Sequence, residues 1–264
     1  MKDFLLADNV TISKTLVCGS SLARLYSSAR FGKMIYRCQY VKIVMPQILN
    51  EPAVQFAQGL STKSVYTMKE AMTIAGSSRR TAYRRLQALK SLGIAKSNRG
   101  RFIINTVVSS QPAAVLHRLL PSLQSLNQAR RFGKSYNQSD INFIMNNTQD
   151  KIITLDYRAW DLTKFQYPMD LYIYVKDIAR IASYLKQNGF SEGQRGHIVL
   201  LPEIGDFSNE IERVYLDCIA KGGRSMLDAI AIELLYSDQI SVKGRFTTQD
   251  VIKVREDLPI RQTQ

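Results

Sequence analysis

Residues 67–105, TMKEAMTIAGSSRRTAYRRLQALKSLGIAKSNRGRFIIN, decide how this chain is read. The run opens on a capping box, Thr67-Met68-Lys69-Glu70. Its threonine hydroxyl can accept from the Glu70 amide while the glutamate reaches back to the Thr67 amide. A helix follows through Ala71, Met72, Ile74 and Ala75 and stops at Gly76, which tolerates the positive φ of a tight turn. Ser77 or Ser78 caps a second helix. In that helix Ala82, Leu86, Leu89 and Leu92 recur at helical spacing and should face a core. Gly93-Ile94-Ala95-Lys96 then begins a strand, Ser97-Asn98-Arg99-Gly100 signals a turn, and Arg101-Phe102-Ile103-Ile104 returns as the partner strand.

Two helices about a glycine turn, followed by a basic hairpin, make the pattern of a winged helix-turn-helix. Charge falls in the same place. Residues 61–110 hold ten Lys/Arg against one acid, Glu70, whereas the whole chain has 36 Lys+Arg, 22 Asp+Glu and a net charge of +14. A patch so localised is suited to phosphates. Arg79 and Arg80 oppose the helix dipole in the first turn of the second helix, a misfit that a phosphate or base edge would relieve. The expected partner is double-stranded DNA. Ser78, Arg79, Arg80, Tyr83 and Arg84 would enter a major groove, with Lys96, Arg99 and Arg101 of the hairpin on the neighbouring backbone. Tyr83 is the one aromatic residue in the basic helix, which favours duplex over single-strand stacking. One alternative is an RNA-binding or architectural protein that holds nucleic acid without sequence preference, and the plain one is a solvated basic face with no partner.

Four zones are expected. Residues 1–45 are unassigned, with candidate strands at 11–18 and 41–45. Residues 46–108 form the winged unit, whose first helix, over 46–58, is interrupted by Pro52. Residues 109–148 form a helical linker in which Leu116, Leu119, Leu120, Leu123 and Leu126 offer an apolar face and Pro121 predicts a kink or two short helices. Such a helix could dimerise or pack on the chain's own second domain. The polar run 130–147 reads as loop-rich. Residues 149–264 alternate strands and helices as a small α/β domain, near neutral with 15 Lys/Arg and 16 Asp/Glu over 151–264. The fold class is therefore α+β. Strands are expected at 152–155, 170–175, 197–201 and 214–219, and helices at 157–165, 176–188, 225–236 and 247–257.

The winged unit together with ITLDYRAWDL, YPMDLYIYV and VYLDCIAKGGRSMLDAIAIELLY resembles the AbiEi-like antitoxins of type IV toxin–antitoxin systems. The resemblance implies a DNA-binding, autoregulatory regulator whose second domain is similar to a nucleotidyltransferase fold without its chemistry. It also implies a partner protein or toxin at that domain. In that group a short leucine–aspartate strand precedes a helix, as Tyr215-Leu216-Asp217 and residues 223–236 would here.

Catalysis is the competing reading. Nucleotidyl transfer needs a Gly-Ser turn and paired carboxylates for magnesium. Gly19-Ser20-Ser21 offers such a turn, but no Asp-x-Asp or Glu-x-Asp follows it. Asp156, Asp170 and Asp217 fall at expected strand ends and read more simply as caps. Gly222-Gly223-Arg224 could hold an anion at the N-terminus of the helix that follows but reads more simply as a structural turn, and Trp160 as a core anchor. The three cysteines, Cys18, Cys38 and Cys218, are far apart, and His117 and His197 stand alone, so no disulfide framework, metal site or cofactor is expected. No apolar run approaches the roughly 20 residues that span a bilayer. A cytoplasmic protein without a membrane partner is the expectation.

Overall fold

The computed structural model describes residues 51–133, 138–147 and 152–258. The zone 1–45 and its expected strands, the Gly19-Ser20-Ser21 turn, Cys18 and Cys38 lie outside them.

The described chain is mixed α and β with two sheets. It begins with α1 (Glu51–Gly59), β1 (Val65–Thr67), α2 (Met68–Ala75), α3 (Arg79–Ser91), β2 (Ala95–Asn98) and β3 (Arg101–Ile104). Pro52 does not interrupt α1. It stands second in the helix, where its missing N–H has no intrahelical partner to lose. Both halves of the Thr67–Glu70 capping box form, with the Thr67 amide donating to Glu70 at 2.7 Å and the Glu70 amide to Thr67 at 3.3 Å. Gly76 ends α2 at φ 53, and the Ser78 hydroxyl caps α3 by accepting from the Thr81 amide at 3.4 Å. The small sheet is antiparallel in the order β1-β3-β2, with Tyr66 and Ser97 both opposite Phe102. Strand β1 escapes a pattern reading because three residues are too few for an alternation. Its partners lie 34 to 38 positions away. Helices and sheet share a core of Phe56, Tyr66, Leu86, Leu89, Ile94 and Phe102.

The remainder runs α4 (Thr106–Ser109), α5 (Ala113–Asn127), β4 (Arg130–Gly133), α6 (Gln138–Asn147), β5 (Ile152–Thr154), α7 (Leu155–Thr163), β6 (Leu171–Val175), α8 (Ile178–Gln187), β7 (Ser191–Glu192), β8 (Ile198–Pro202), α9 (Glu210–Lys221), α10 (Ser225–Leu235) and α11 (Thr248–Asp257). The larger sheet has the order β5-β6-β8-β4-β7. Only β6 and β8 are parallel, joined by the β6-α8-β8 crossover. All five residues of β6 are buried, as in a strand covered on both faces. Leu171, Ile173, Ile198 and Leu200 face Ile144 of α6 and Leu185 of α8. Tyr172 and Tyr174 point the other way, toward Lys221, Arg213 and Asp217 of α9.

Several expectations change here. Within this run, residues 130–133 are β4 and 138–147 are α6 rather than loop, because Phe132, Ile141 and Ile144 fill the core while Asn142 and Asn146 face outward. Helix α5 runs unbroken through Pro121. Buried Leu116, Leu119, Leu120 and Leu123 on both sides of the proline offset a cost of about 3 kcal/mol. It packs on α9 and β8 of its own chain. Residues 214–219 are not a strand but the middle of α9, so Tyr215-Leu216-Asp217 is helical too. Every residue from Glu212 to Ala220 is buried, which erases the polar face that normally betrays a helix. The overlooked signals were the Asn209 cap and the acids Glu210 and Glu212 in the first turn. Trp160 is half-buried rather than a core anchor, with Lys164 3.9 Å over its ring and Tyr167 edge-on at 6.2 Å.

Candidate nucleic-acid interface

Helix α3 is amphipathic, and its burial divides its cations. Ala82, Leu86 and Leu89 go to the core, which leaves Arg79, Arg80, Tyr83 and Arg84 exposed. Arg85 turns inward, donating to the Ala75 carbonyl at 3.2 Å and lying over the Phe56 ring at 5.8 Å. It is the α3 arginine with a structural task.

The α3 face continues into the hairpin. Arg79, Arg80 and Tyr83 line an open groove of about 600 Å³ with Met68, Gly100 and Phe102. Met68, Gly100 and Phe102 are not among the expected contact residues: the sequence places Met68 within the capping box, Gly100 in the turn and Phe102 in the returning strand. Asn98 and Arg101 face each other across β2 and β3, so Arg99 and Gly100 form a two-residue loop at φ 45 and φ 78. Positive φ at both positions matches the twist of a tight hairpin, for which Asn-Gly is the usual solution. Arginine at the first position is a costly choice for the turn and places a cation at its tip.

Ser78, Arg79, Arg80, Tyr83, Arg84, Lys96, Arg99 and Arg101 are all exposed. The structure does not bring all eight onto one surface. Lys96 stands opposite Ile103 on the outer face of the small sheet, and both line a different cavity, between that sheet and the larger one. The Ser78 hydroxyl is occupied as the α3 cap. Among the described residues, Arg79, Arg80, Arg84, Arg99 and Arg101 make neither an ion pair nor a side-chain hydrogen bond. Elsewhere among them, Arg118, Arg130, Arg131, Arg158 and Arg213 are each paired with a carboxylate, while Arg180, Arg195, Arg245 and Arg255 are not. The one acid of 61–110 does not neutralise the patch either. Glu70 is held by Lys63 and by the Thr67 amide and hydroxyl, which pull it down to about 2.

The three carboxylates considered for catalysis have other partners. Asp217 is buried in α9, accepting from Thr154 Oγ1 at 2.6 Å, the Tyr174 hydroxyl at 2.8 Å and Arg213 Nε at 3.1 Å. Asp156 pairs with Lys221 at 2.5 Å and Asp170 with Arg131 at 2.9 Å. Asp170 also meets His197 Nδ1 at 3.3 Å. Gly222-Gly223-Arg224 makes a turn tied down by Arg224, which donates to Gln166 Oε1 at 2.6 Å and to the Tyr167 carbonyl at 2.9 Å. Among the described residues, no helix is long and apolar enough to cross a membrane. No protein-family model, no curated protein and no solved structure matches this chain.

Proposed function

We propose that the chain is a winged helix-turn-helix transcriptional regulator that binds duplex DNA. The order α1-β1-α2-α3-β2-β3, with the sheet order β1-β3-β2, fits a winged helix. In this reading α3 enters a major groove, with Arg79, Arg80, Tyr83 and Arg84 at base edges and flanking phosphates, and Arg99 and Arg101 hold the adjacent backbone. The carrying observation is clustering. Arg79, Arg80, Arg84, Arg99 and Arg101, none with an ion pair among the described residues, gather on the α3 N-terminal turns and the hairpin. Beyond the hairpin five arginines are ion-paired, and the unpaired Arg180, Arg195, Arg245 and Arg255 are scattered over separate parts of the chain. An autoregulatory, antitoxin-like role is part of the proposal. It rests on residues 67–105 rather than on the run 215–217, which is helical. The larger sheet and its helices would receive a partner protein or ligand.

Fluorescence anisotropy tests this, with the full chain titrated against duplex from its own upstream region, scrambled duplex and single strand. The expected result is a preference for its own duplex. Arg79→Ala and Arg84→Ala should each lose about 1–3 kcal/mol and relax discrimination at one base position. Equal affinity for all three nucleic acids, unmoved by either substitution, would overturn the proposal.

A further inference from the structure

The outer face of the small sheet and the Tyr172 face of the larger sheet line a half-open cavity of about 580 Å³. Its lining is chemically divided. Ile103, Leu123, Leu126 and Val199 supply apolar walls, while Lys96, Arg131 and Lys221 supply three cations. No carboxylate is in the lining. Asp170 and Asp156 stand behind Arg131 and Lys221, at 2.9 and 2.5 Å, and hold the two cations in place. Tyr172 locks the pair further: its hydroxyl accepts from Arg131 Nη2 at 2.9 Å and Lys221 Nζ sits 4.4 Å over its ring. Burial alone would lower both groups, but Asp170, Asp156 and Tyr172 raise them above their ordinary values, so both stay charged. The Lys96 side chain makes no ion pair or hydrogen bond among the described residues, and Ile103 keeps 40% of its surface exposed beside it.

Oriented cations with their counter-ions withdrawn from the lining, facing an apolar wall, are what a ligand with a charged end and a greasy body needs. The volume is within the ordinary range for small-molecule sites, roughly 300–1,000 Å³. We propose that this cavity binds a small amphipathic organic anion, its carboxylate or phosphate meeting Lys96, Arg131 and Lys221 and its apolar body lying against Ile103, Leu123, Leu126 and Val199. A cationic ligand would meet three like charges, and a bare inorganic anion would leave the apolar half of the lining unused. An occupant would touch both sheets and so connect the larger sheet to the hairpin. That consequence depends on the DNA-binding reading, whereas occupancy of the cavity does not.

The test is direct and uses no DNA. The full chain is titrated with 8-anilinonaphthalene-1-sulfonate, an amphipathic anion that fluoresces on apolar burial, with native near-ultraviolet dichroism checked for each variant. One saturable site is expected, weakened by about tenfold or more in Lys96→Met and in Ile103→Glu. Lys253→Met, an equal loss of charge on α11, should leave it unchanged. Octanoate and hexyl phosphate should displace the probe, and their relative strength separates a carboxylate from a phosphate preference. Binding at several equivalent sites, or unaltered in both cavity variants, overturns the proposal, as does no binding at millimolar probe. Displacement by inorganic phosphate as effective as by octanoate would overturn the amphipathic class.

Discussion

Arg99→Asn should make the protein more stable and a worse DNA binder at once. Arg99 holds φ 45 in a loop whose next residue is Gly100 at φ 78. An L-residue with a Cβ pays about 1–2 kcal/mol in that left-handed region, and asparagine pays less because its short side chain bonds locally. Recovering about half of that gives about 0.5–1 kcal/mol, or about 1–4 °C in Tm for a chain of this size. The same change removes one cation from the hairpin tip. If Arg99 neutralises one phosphate, the slope of log K against log salt flattens by about 0.9. Between about 50 and 200 mM salt the variant's affinity should then fall by about threefold less than the parent's. Thermal melting and anisotropy titrations at the two salt concentrations read both quantities on one preparation. Opposite signs exclude simple unfolding as the cause of weaker binding. A lower Tm would refute the strained-turn argument, and an unchanged salt slope would refute the phosphate contact.

Two further predictions concern buried carboxylates of the second half. Asp217→Ala should cost about 3–5 kcal/mol in urea denaturation, because it strands the Arg213 charge in the interior. Replacing both partners, as Arg213→Met with Asp217→Leu, should recover most of that loss; a single variant within about 1 kcal/mol of the parent would contradict the network's importance. Asp228 is buried, its Oδ1 has no hydrogen-bond partner among the described residues, and its carboxyl is pushed up to about 7. Burial is the main cause, followed by Asp156, against the opposing pull of Gln166, Arg224 and Lys221. A raised folded-state value means that stability is fully present below the unfolded value of about 3.9 and declines as pH rises toward 7. Asp228 should therefore cost the fold about 2 kcal/mol between pH 5 and 7. Asp228→Asn should flatten the stability–pH curve over that interval, and a curve of unchanged shape would show that Asp228 does not titrate there.

The elements legible in advance are those closed by local chemistry. The capping box at Thr67, the glycine stop at Gly76 and the Ser78 cap each involve bonds spanning a few residues, and all three form. The α3 core stripe was readable because Ala82, Leu86 and Leu89 repeat against a polar opposite face. Helix α9 was not, because burial on all sides leaves no such contrast and its Val-Tyr-Leu run then mimics a strand. The same limit hid β1, whose three residues gain strand character only by pairing with β3.

The candidate interface divides along the same line. Where the cations concentrate, which turn residues break the helices and which α3 face is apolar can be read from residues 67–105 alone, since these depend on composition and on contacts within one turn. Tertiary structure alone decided that Arg85 turns inward to the Ala75 carbonyl, that Lys96 belongs to a different cavity from Arg79, and that Arg131, Tyr172 and Lys221 meet. Arg131 and Lys221 are 90 positions apart and converge only because β4 and α9 pack about the same sheet. A side chain's partner across the fold is set by packing, and local propensity does not encode it.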